Sequence, residues 1–347
     1  MTSPMSVVVV CAVAALLGWL AVGTVIRRSS ALGLLDRPGH RSSHEVVTPT
    51  GGGIGIVAVG TLAGCLALAN GSWNAGWAAL ALALLVAAFS LRDDARPLGA
   101  GMRLAVQSVA VAGLLAAAAA GPSMLPFAPV VGFGVAFALL LVGGLWWINL
   151  FNFMDGIDGL AASEALFLLI AGAVLASRGD GVGESPVALW MLCVAAATAG
   201  FLVHNWAPAR IFMGDVGSTY LAYMILAFAL WSVLDGRLTV AVWLVLAALF
   251  VTDATVTLLV RLLRGERPHE AHRSHAYQRL ARRWGRHDRV ALLATLVNLG
   301  WLAPLAALAV SHPSIDWAIA ALAYAPLVPA ILLCGAGRPE PTTRRSQ

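Results

Sequence analysis

The sequence predicts an all-α fold: a polytopic bundle of about eleven membrane-crossing helices, with the amino terminus outside and the carboxyl terminus inside. Three observations carry that expectation. The chain is 60% hydrophobic and only 11% charged, with a mean hydropathy of +0.84, outside the range of soluble domains. Long stretches, among them 51–91, 104–154 and 290–315, hold no Asp, Glu, Lys or Arg. The 22 basic residues are all arginine and are distributed unevenly around those stretches.

The elements follow in order. A bilayer core is crossed by about 20 apolar residues, so the longest stretches must be divided by turns. NGSWN at 70–74, GPSMLPFAP at 121–129 and the segment from Gly179 to Pro186 supply them. The resulting spans are 4–26, 51–69, 75–91, 104–120, 130–148, 159–177, 187–203, 217–234, 238–260, 290–310 and 316–335. The first is too long for a removed signal peptide and lacks a basic leader and cleavage site. Residues 1–335 read as a single transmembrane domain and 336–347 as a short disordered cytoplasmic tail.

Strict alternation of eleven spans places 20 of the 22 arginines on one side, leaving only Arg178 and Arg237 on the other. Cytoplasmic loops carry the basic excess, which sets the orientation. The net charge of +5 then suits an anionic inner leaflet and argues against nucleic acid as a partner. The four cysteines lie in or near spans with no CxxC pair, so neither a disulfide framework nor a zinc site is suggested.

Every cluster with chemical potential falls on the arginine-rich side. Loop one is DRPGHRSSHEVVTPTGGG at 36–53, and loop two, 92–103, carries the adjacent Asp93 and Asp94. Loop three is NLFNFMDGIDGL at 149–160, loop four HNWAPARIFMGDVGS at 204–218, and loop five runs from Arg261 to Arg289 with His272, Arg273 and His275. Five clusters on one face point to one site at the membrane boundary. Gathered together, Asp93, Asp94, Asp155, Asp158 and Asp215 would repel one another without a cation. Oxygen ligands alone suit Mg²⁺, which uses one or two carboxylates plus substrate phosphate oxygens. The plainer reading, that each Asp caps a helix end, accounts for any one of them but not for the adjacent pair or the DGIDG spacing.

Other residues keep two readings open. Gly51, Gly52 and Gly53 either admit an anion at a helix start or let helices pack closely in lipid. Arg273 and the histidines either clamp phosphate oxygens or belong to a solvated basic loop. Phe212 is either a stacking platform for a base or a core aromatic. Asp253, deep inside a span, either reaches the site or pairs with an arginine within the bundle, and Glu164 is similarly placed.

In this order, the strings resemble the polyprenyl-phosphate N-acetylhexosamine-1-phosphate transferase family, over nearly the whole chain from Asp36 to about Arg289. The resemblance implies Mg²⁺, for which it allows Mn²⁺ as a substitute, and attack of undecaprenyl phosphate on the β-phosphorus of a UDP-N-acetylhexosamine, releasing UMP. It further implies a bacterial cytoplasmic membrane location with the site facing the cytoplasm, and it allows a homodimer. Carried onto this sequence, Asp93 and Asp94 match the acidic pair and Asp215 the metal ligand, with Asp94 also bearing on the metal. Phe212 matches the residue that stacks on uracil; Asn149, Asn152, Asp155, Asp158 and Asn205 belong to the nucleotide-side strings; His272 and His275 match the late histidine motif. Two departures stand out. The late motif reads HRSHAYQ rather than HIHH, which resembles the O-antigen and surface-polysaccharide branch. Loop one lacks the lysine of the peptidoglycan enzyme, leaving Arg41 or His44 in that role and arguing against a muramoyl-peptide donor.

Two rival classes share the gross features. A lipid or polysaccharide transporter would place charges near the midplane on broken helices, often in duplicated halves; here they cluster at span ends and no repeat is evident. An intramembrane prenyltransferase would want two similar Asp-rich repeats, which Asp93–Asp94 and Asp155–Asp158 mimic only loosely.

Overall fold

The computed structural model describes residues 4–36, 46–69, 74–121, 123–178, 181–266 and 272–339. Helix occupies each of the eleven apolar stretches. The first eight are α1 (Pro4–Leu32), α2 (Gly53–Leu68), α3 (Asn74–Ala95), α4 (Ala100–Ala119), α5 (Phe133–Phe153), α6 (Leu160–Ala176), α7 (Pro186–Asn205) and α8 (Gly214–Leu234). Then come α9 (Val240–Leu246), α10 (Ala248–Leu263) and a short basic helix α11 (Ala276–Trp284). Two further apolar helices, α12 (His287–Ser311) and α13 (Pro313–Leu333), complete the bundle. Among the described residues, eight helices are long and apolar enough to cross a membrane, or nine if a bent pair is counted as one span. The chain is thus a multi-pass membrane protein. At 16 and 17 residues, α2 and α6 are shorter.

Local chemistry explains several boundaries. Pro186 sits in the first turn of α7, where its missing N–H is no loss, and Ser185 Oγ accepts the N–H of Ala188 at 3.2 Å. Thr239 Oγ1 accepts the N–H of Val242 at 3.3 Å and starts α9. Within α12, a π turn at Asn298–Leu302 ends two residues before Pro304, which cannot donate to the carbonyl one turn back.

The structure differs from the sequence reading in three places. The stretch expected as one span at 238–260 is broken at Ala247, where α9 and α10 meet at 77°. Loop one closes with an antiparallel ladder pairing Leu35 with Pro49 and Asp36 with Thr48, a small β element in an otherwise helical chain. The expected tail boundary also shifts: Gly337 N–H donates to Ser274 O at 2.9 Å and Ala336 is buried, so residues 336–338 dock against loop five.

α8 is the central helix, with Tyr220, Leu221, Tyr223 and Phe228 wholly enclosed. Small residues let its neighbours approach. A Cβ on Gly53 would lie 2.1 Å from the Gly217 Cα, and one on Gly52 would lie 2.5 Å from the Phe201 ring. Close packing thus accounts for Gly52 and Gly53. Beside α8, an apolar cavity of about 380 Å³ opens among α4, α5, α8 and the bend at Ala247, lined by residues such as Val111, Leu114, Trp146, Leu226 and Trp243.

Candidate active site

The site forms where the amino end of α8 meets the ends of α3 and α5. The first residue of α8, Gly214, has φ +74, and a Cβ there would meet Asp94 Oδ2 at 2.7 Å. Glycine therefore allows both the turn and the close approach of a carboxylate. Asp94 uses that approach fully. Its Oδ1 accepts the N–H of Asp215 at 2.9 Å and its Oδ2 accepts that of Val216 at 3.0 Å. A carboxylate from α3 thereby satisfies two open donors of α8.

Its neighbour Asp93 points elsewhere, as adjacent helical residues must. Asp93 Oδ1 accepts the N–H of Leu98 at 2.5 Å, and Oδ2 lies 3.3 Å from Arg103 Nη1. The same guanidinium nitrogen is 3.5 Å from Asp215 Oδ2. From α5, Asn152 Nδ2 donates to Asp215 Oδ1 at 3.0 Å and to Ser218 Oγ at 3.2 Å. Asp93, Asp94, Asn152 and Asp215 are thus assembled from three helices, with Arg103 on α4 as their cation.

Asp155, in the turn between α5 and α6, joins this group through its field. Burial, then the charges of Asp215, Asp94 and Asp158, holds its carboxyl well above the usual carboxylate range. Asp158 lies further along the turn: its Oδ2 accepts the N–H of Ala209 at 3.1 Å and lies 3.3 Å from His287 Nδ1. Asn205, 4% exposed, braces the two loops, accepting from Gly159 N–H at 3.0 Å and donating to Ile211 O at 2.9 Å. Phe212 is half-buried, and its backbone pairs with loop one, donating to Pro49 O and accepting from Gly52 N–H, both at 2.9 Å. Asn149 donates to Gln107 Oε1 and to Leu145 O, both at 2.8 Å. Arg41 and His44 lie outside the described residues.

Loop five stands apart from the carboxylates and docks on them indirectly. Asp253, expected either to reach the site or to pair with an arginine, caps α11: its two oxygens accept the N–H groups of Ala276 and Tyr277, both at 2.9 Å. His275, 2% exposed, has its Nδ1 at 3.4 Å from the same carboxylate. Tyr277 Oη reaches back to donate to Phe153 O at 2.8 Å, tying this cap to the loop-three turn. His272 lies beside His275 in a tilted ring pair with centroids 4.9 Å apart and shares a 3.0 Å hydrogen bond with Ser274 Oγ. Burial, then His275 and Arg261, lowers its pKa from the usual 6.5 to about 4, so it is neutral at physiological pH. The Arg273 carbonyl accepts from Arg282 at 2.6 Å. Glu164 also stays clear of the site and accepts from Asn298 Nδ2 at 2.6 Å.

Among the described residues, no three His, Cys, Asp or Glu side chains could hold a metal ion by themselves. The donor set nevertheless fits Mg²⁺, which binds through one or two carboxylates and the oxygens of a bound phosphate rather than an all-protein cage. Asp155, its carboxyl raised first by burial and then by the charges of Asp215, Asp94 and Asp158, is an oxygen donor whose ionised form a cation would favour. Sequence reasoning passed over Arg103, which it counted only toward membrane orientation, and over Gln107, His287 and Tyr277. Only Tyr277 falls within a quoted motif, HRSHAYQ; Gln107, His287 and Tyr277 each act through a partner more than 40 residues away, and Arg103 through carboxylates on two different helices.

Comparison with known proteins identifies the family. Residues 76–233 match the model for glycosyl transferase family 4. A probable undecaprenyl-phosphate N-acetylglucosaminyl 1-phosphate transferase of Bacillus subtilis is 27% identical over 315 residues, 89% of this chain and 86% of the relative. A decaprenyl-phosphate N-acetylglucosaminephosphotransferase of Mycolicibacterium smegmatis is 30% identical over 315 residues, 82% of this chain and 77% of the relative. The chain belongs to glycosyl transferase family 4. A phospho-N-acetylmuramoyl-pentapeptide-transferase of Synechococcus is 32% identical over 252 residues, covering 66% of this chain and 69% of the relative. The family match takes in the whole carboxylate assembly, Asp93 to Asp215, whereas loop five falls beyond it.

Proposed function

We propose that this protein transfers an N-acetylhexosamine 1-phosphate from a UDP-sugar to a polyprenyl phosphate, releasing UMP, with its site on the cytoplasmic face of a bacterial inner membrane. The observation that carries this reading is the Asp93–Asp94–Asn152–Asp215 assembly around Arg103, built beside an apolar cavity in a chain whose relatives are named for that reaction.

The chemistry asks little of a general base, because a lipid phosphate is already anionic. Its oxygen forms a bond to the β-phosphorus of the donor as the bond from that phosphorus to the bridging oxygen breaks, and UMP carries the bridging oxygen away. The protein must hold nucleophile and leaving group in line and offset the negative charge. Arg103, between Asp93 and Asp215, is placed to meet phosphate oxygens. Asp215, with Asn152 fixing one oxygen and the other turned to Arg103, is the first residue that would hold Mg²⁺. Asp155 is the second; Asp94 directs both of its oxygens to the backbone N–H groups at the start of α8 instead. Bound there, Mg²⁺ would neutralise the diphosphate and stabilise the leaving UMP. Asp94 is thereby recast from metal ligand to the anchor that positions Asp215. Asn205 and Asp158 shape the nucleotide side with Phe212 as the base platform, and His275 with Asp253 sets loop five.

The apolar cavity suits the isoprenoid tail. The 20-to-2 arginine split supports eleven spans, an external amino terminus and this cytoplasmic face. The HRSHAYQ variant and the absent lysine support a surface-polysaccharide role over a muramoyl-peptide donor. Exchange of labelled UMP into UDP-N-acetylglucosamine and its N-acetylgalactosamine, N-acetylfucosamine and N-acetylquinovosamine counterparts tests the reading. Exchange with at least one donor, strictly dependent on undecaprenyl phosphate, is expected; none with any donor would overturn it.

A further inference from the structure

One face of α4 changes chemistry turn by turn. Arg103, at the carboxylates, is followed four residues on by Gln107 and four further by Val111, with Leu114 and Leu115 beyond. Helical periodicity puts these side chains on one stripe, with successive turns about 6 Å apart. Opposite it, α5 runs from Asn152 at the carboxylates through Asn149 to Gly144, where a Cβ would meet Val111 at 2.9 Å. Val111, Leu114, Leu115 and Gly144 all line the apolar cavity. Two carboxamides, Gln107 and Asn149, therefore form the only layer of this stripe between a charged layer and a hydrocarbon one.

Their hydrogen bonds fix which way each amide points. Asn149 Nδ2 lies 2.8 Å from the Leu145 carbonyl, which only accepts, so that atom is the nitrogen. The same nitrogen is 2.8 Å from Gln107, so the Gln107 atom facing it is the oxygen. Gln107 Nε2 is left with two N–H donors and, among the described residues, no hydrogen-bond partner. The residue is only 7% exposed. A mostly buried amide that spends its acceptor on a neighbour and keeps its donors is suited to an anionic oxygen arriving at that depth.

Resting on the transferase reading above, we propose that Gln107 is a lipid-phosphate-binding residue. Its Nε2 donates to a phosphate oxygen of the polyprenyl phosphate, Arg103 faces the same headgroup from the cytoplasmic side, and the first isoprene units enter the cavity at Val111. Asn149 is the positioning partner that holds the Gln107 amide with its donors outward. This pair would set the depth at which the headgroup stops, and so bring its oxygen level with the carboxylates.

The test is a pair of substitutions. Gln107→Glu keeps the acceptor for Asn149 but replaces the donors with an oxygen that repels phosphate. Gln107→Leu removes donors and acceptor together. In both, KM for undecaprenyl phosphate is expected to rise about tenfold or more, the worth of one hydrogen bond to a charged group, with KM for the UDP-sugar unchanged. Native mass spectrometry of purified protein with undecaprenyl phosphate and undecaprenol, without nucleotide, provides a second readout. Wild type should prefer the phosphate, and the Gln107→Glu protein should lose most of that preference. A Gln107→Glu protein with wild-type lipid KM and wild-type preference would reduce Gln107 to a brace between helices and overturn the proposal, as would equal rises in both KM values. If wild type binds undecaprenyl phosphate but transfers nothing, the transferase reading fails while the binding comparison still decides Gln107.

Discussion

Asp94→Asn is expected to lower stability and turnover together, because Asp94 holds the helix end that carries Asp215. In the native protein its two oxygens accept the N–H groups of Asp215 at 2.9 Å and Val216 at 3.0 Å. An asparagine keeps one acceptor and sets an NH₂ against the other N–H. Losing a hydrogen bond to a charged acceptor costs about 1.5–3 kcal/mol, and removing the charge from the helix amino terminus adds about 0.3–1 kcal/mol. A total of about 2–4 kcal/mol is a large share of ordinary domain stability and should appear as a drop of several degrees in Tm. Asp215→Asn is the matched control, since its backbone N–H still meets Asp94: turnover should vanish while Tm moves little. Thermal unfolding in detergent, followed by tryptophan fluorescence, is measured beside UMP release for both variants. Asp94→Asn with native Tm and native turnover would refute the anchoring role. Lost turnover at native Tm would instead give Asp94 a chemical role.

Three other outcomes follow from the same geometry. Gly53→Val should cost at least about 1–3 kcal/mol by overpacking, since its Cβ would lie 2.1 Å from Gly217 backbone; an unchanged Tm would contradict that helix crossing. His272, with its folded pKa lowered from 6.5 to about 4, binds its proton less well folded than unfolded. It therefore supports stability above about pH 6.5 and withdraws that support as pH falls toward 4. His272→Gln should flatten the acid loss of Tm over that window and leave any limb of the pH–rate profile near pH 6.5 in place; removal of that limb would make His272 a titrating catalyst. Turnover should require Mg²⁺ or Mn²⁺ and stop in EDTA, and activity persisting in EDTA would remove the metal from the account.

The sequence located the helices because a span is a local property: about 20 apolar residues ended by polar turns can be read without knowing what lies beside them. The same logic located the carboxylates, since charge is rare in such a chain and Asp155 and Asp215 interrupt long apolar stretches. What it could not show is which oxygen each group spends on what. Asp93 and Asp94 are adjacent and alike on paper, yet one faces Arg103 and the other caps a helix 121 residues away. Asp253, read as either reaching the site or pairing with an arginine, caps α11, and His275 lies beside it. The break at Ala247 carries no proline or glycine to announce it, and Gln107 gains meaning only from Asn149 across the helix pair.

The most direct test of the central claim is the identity of the nucleotide released when purified protein, an accepted UDP-sugar and undecaprenyl phosphate are incubated together. Attack on the β-phosphorus predicts UMP and a lipid diphosphate-sugar in equal amounts, with no UDP. Release of UDP with a lipid monophosphate-sugar would place attack at the sugar carbon instead and contradict the phosphoryl-transfer role assigned to Asp93, Arg103, Asn152, Asp155 and Asp215.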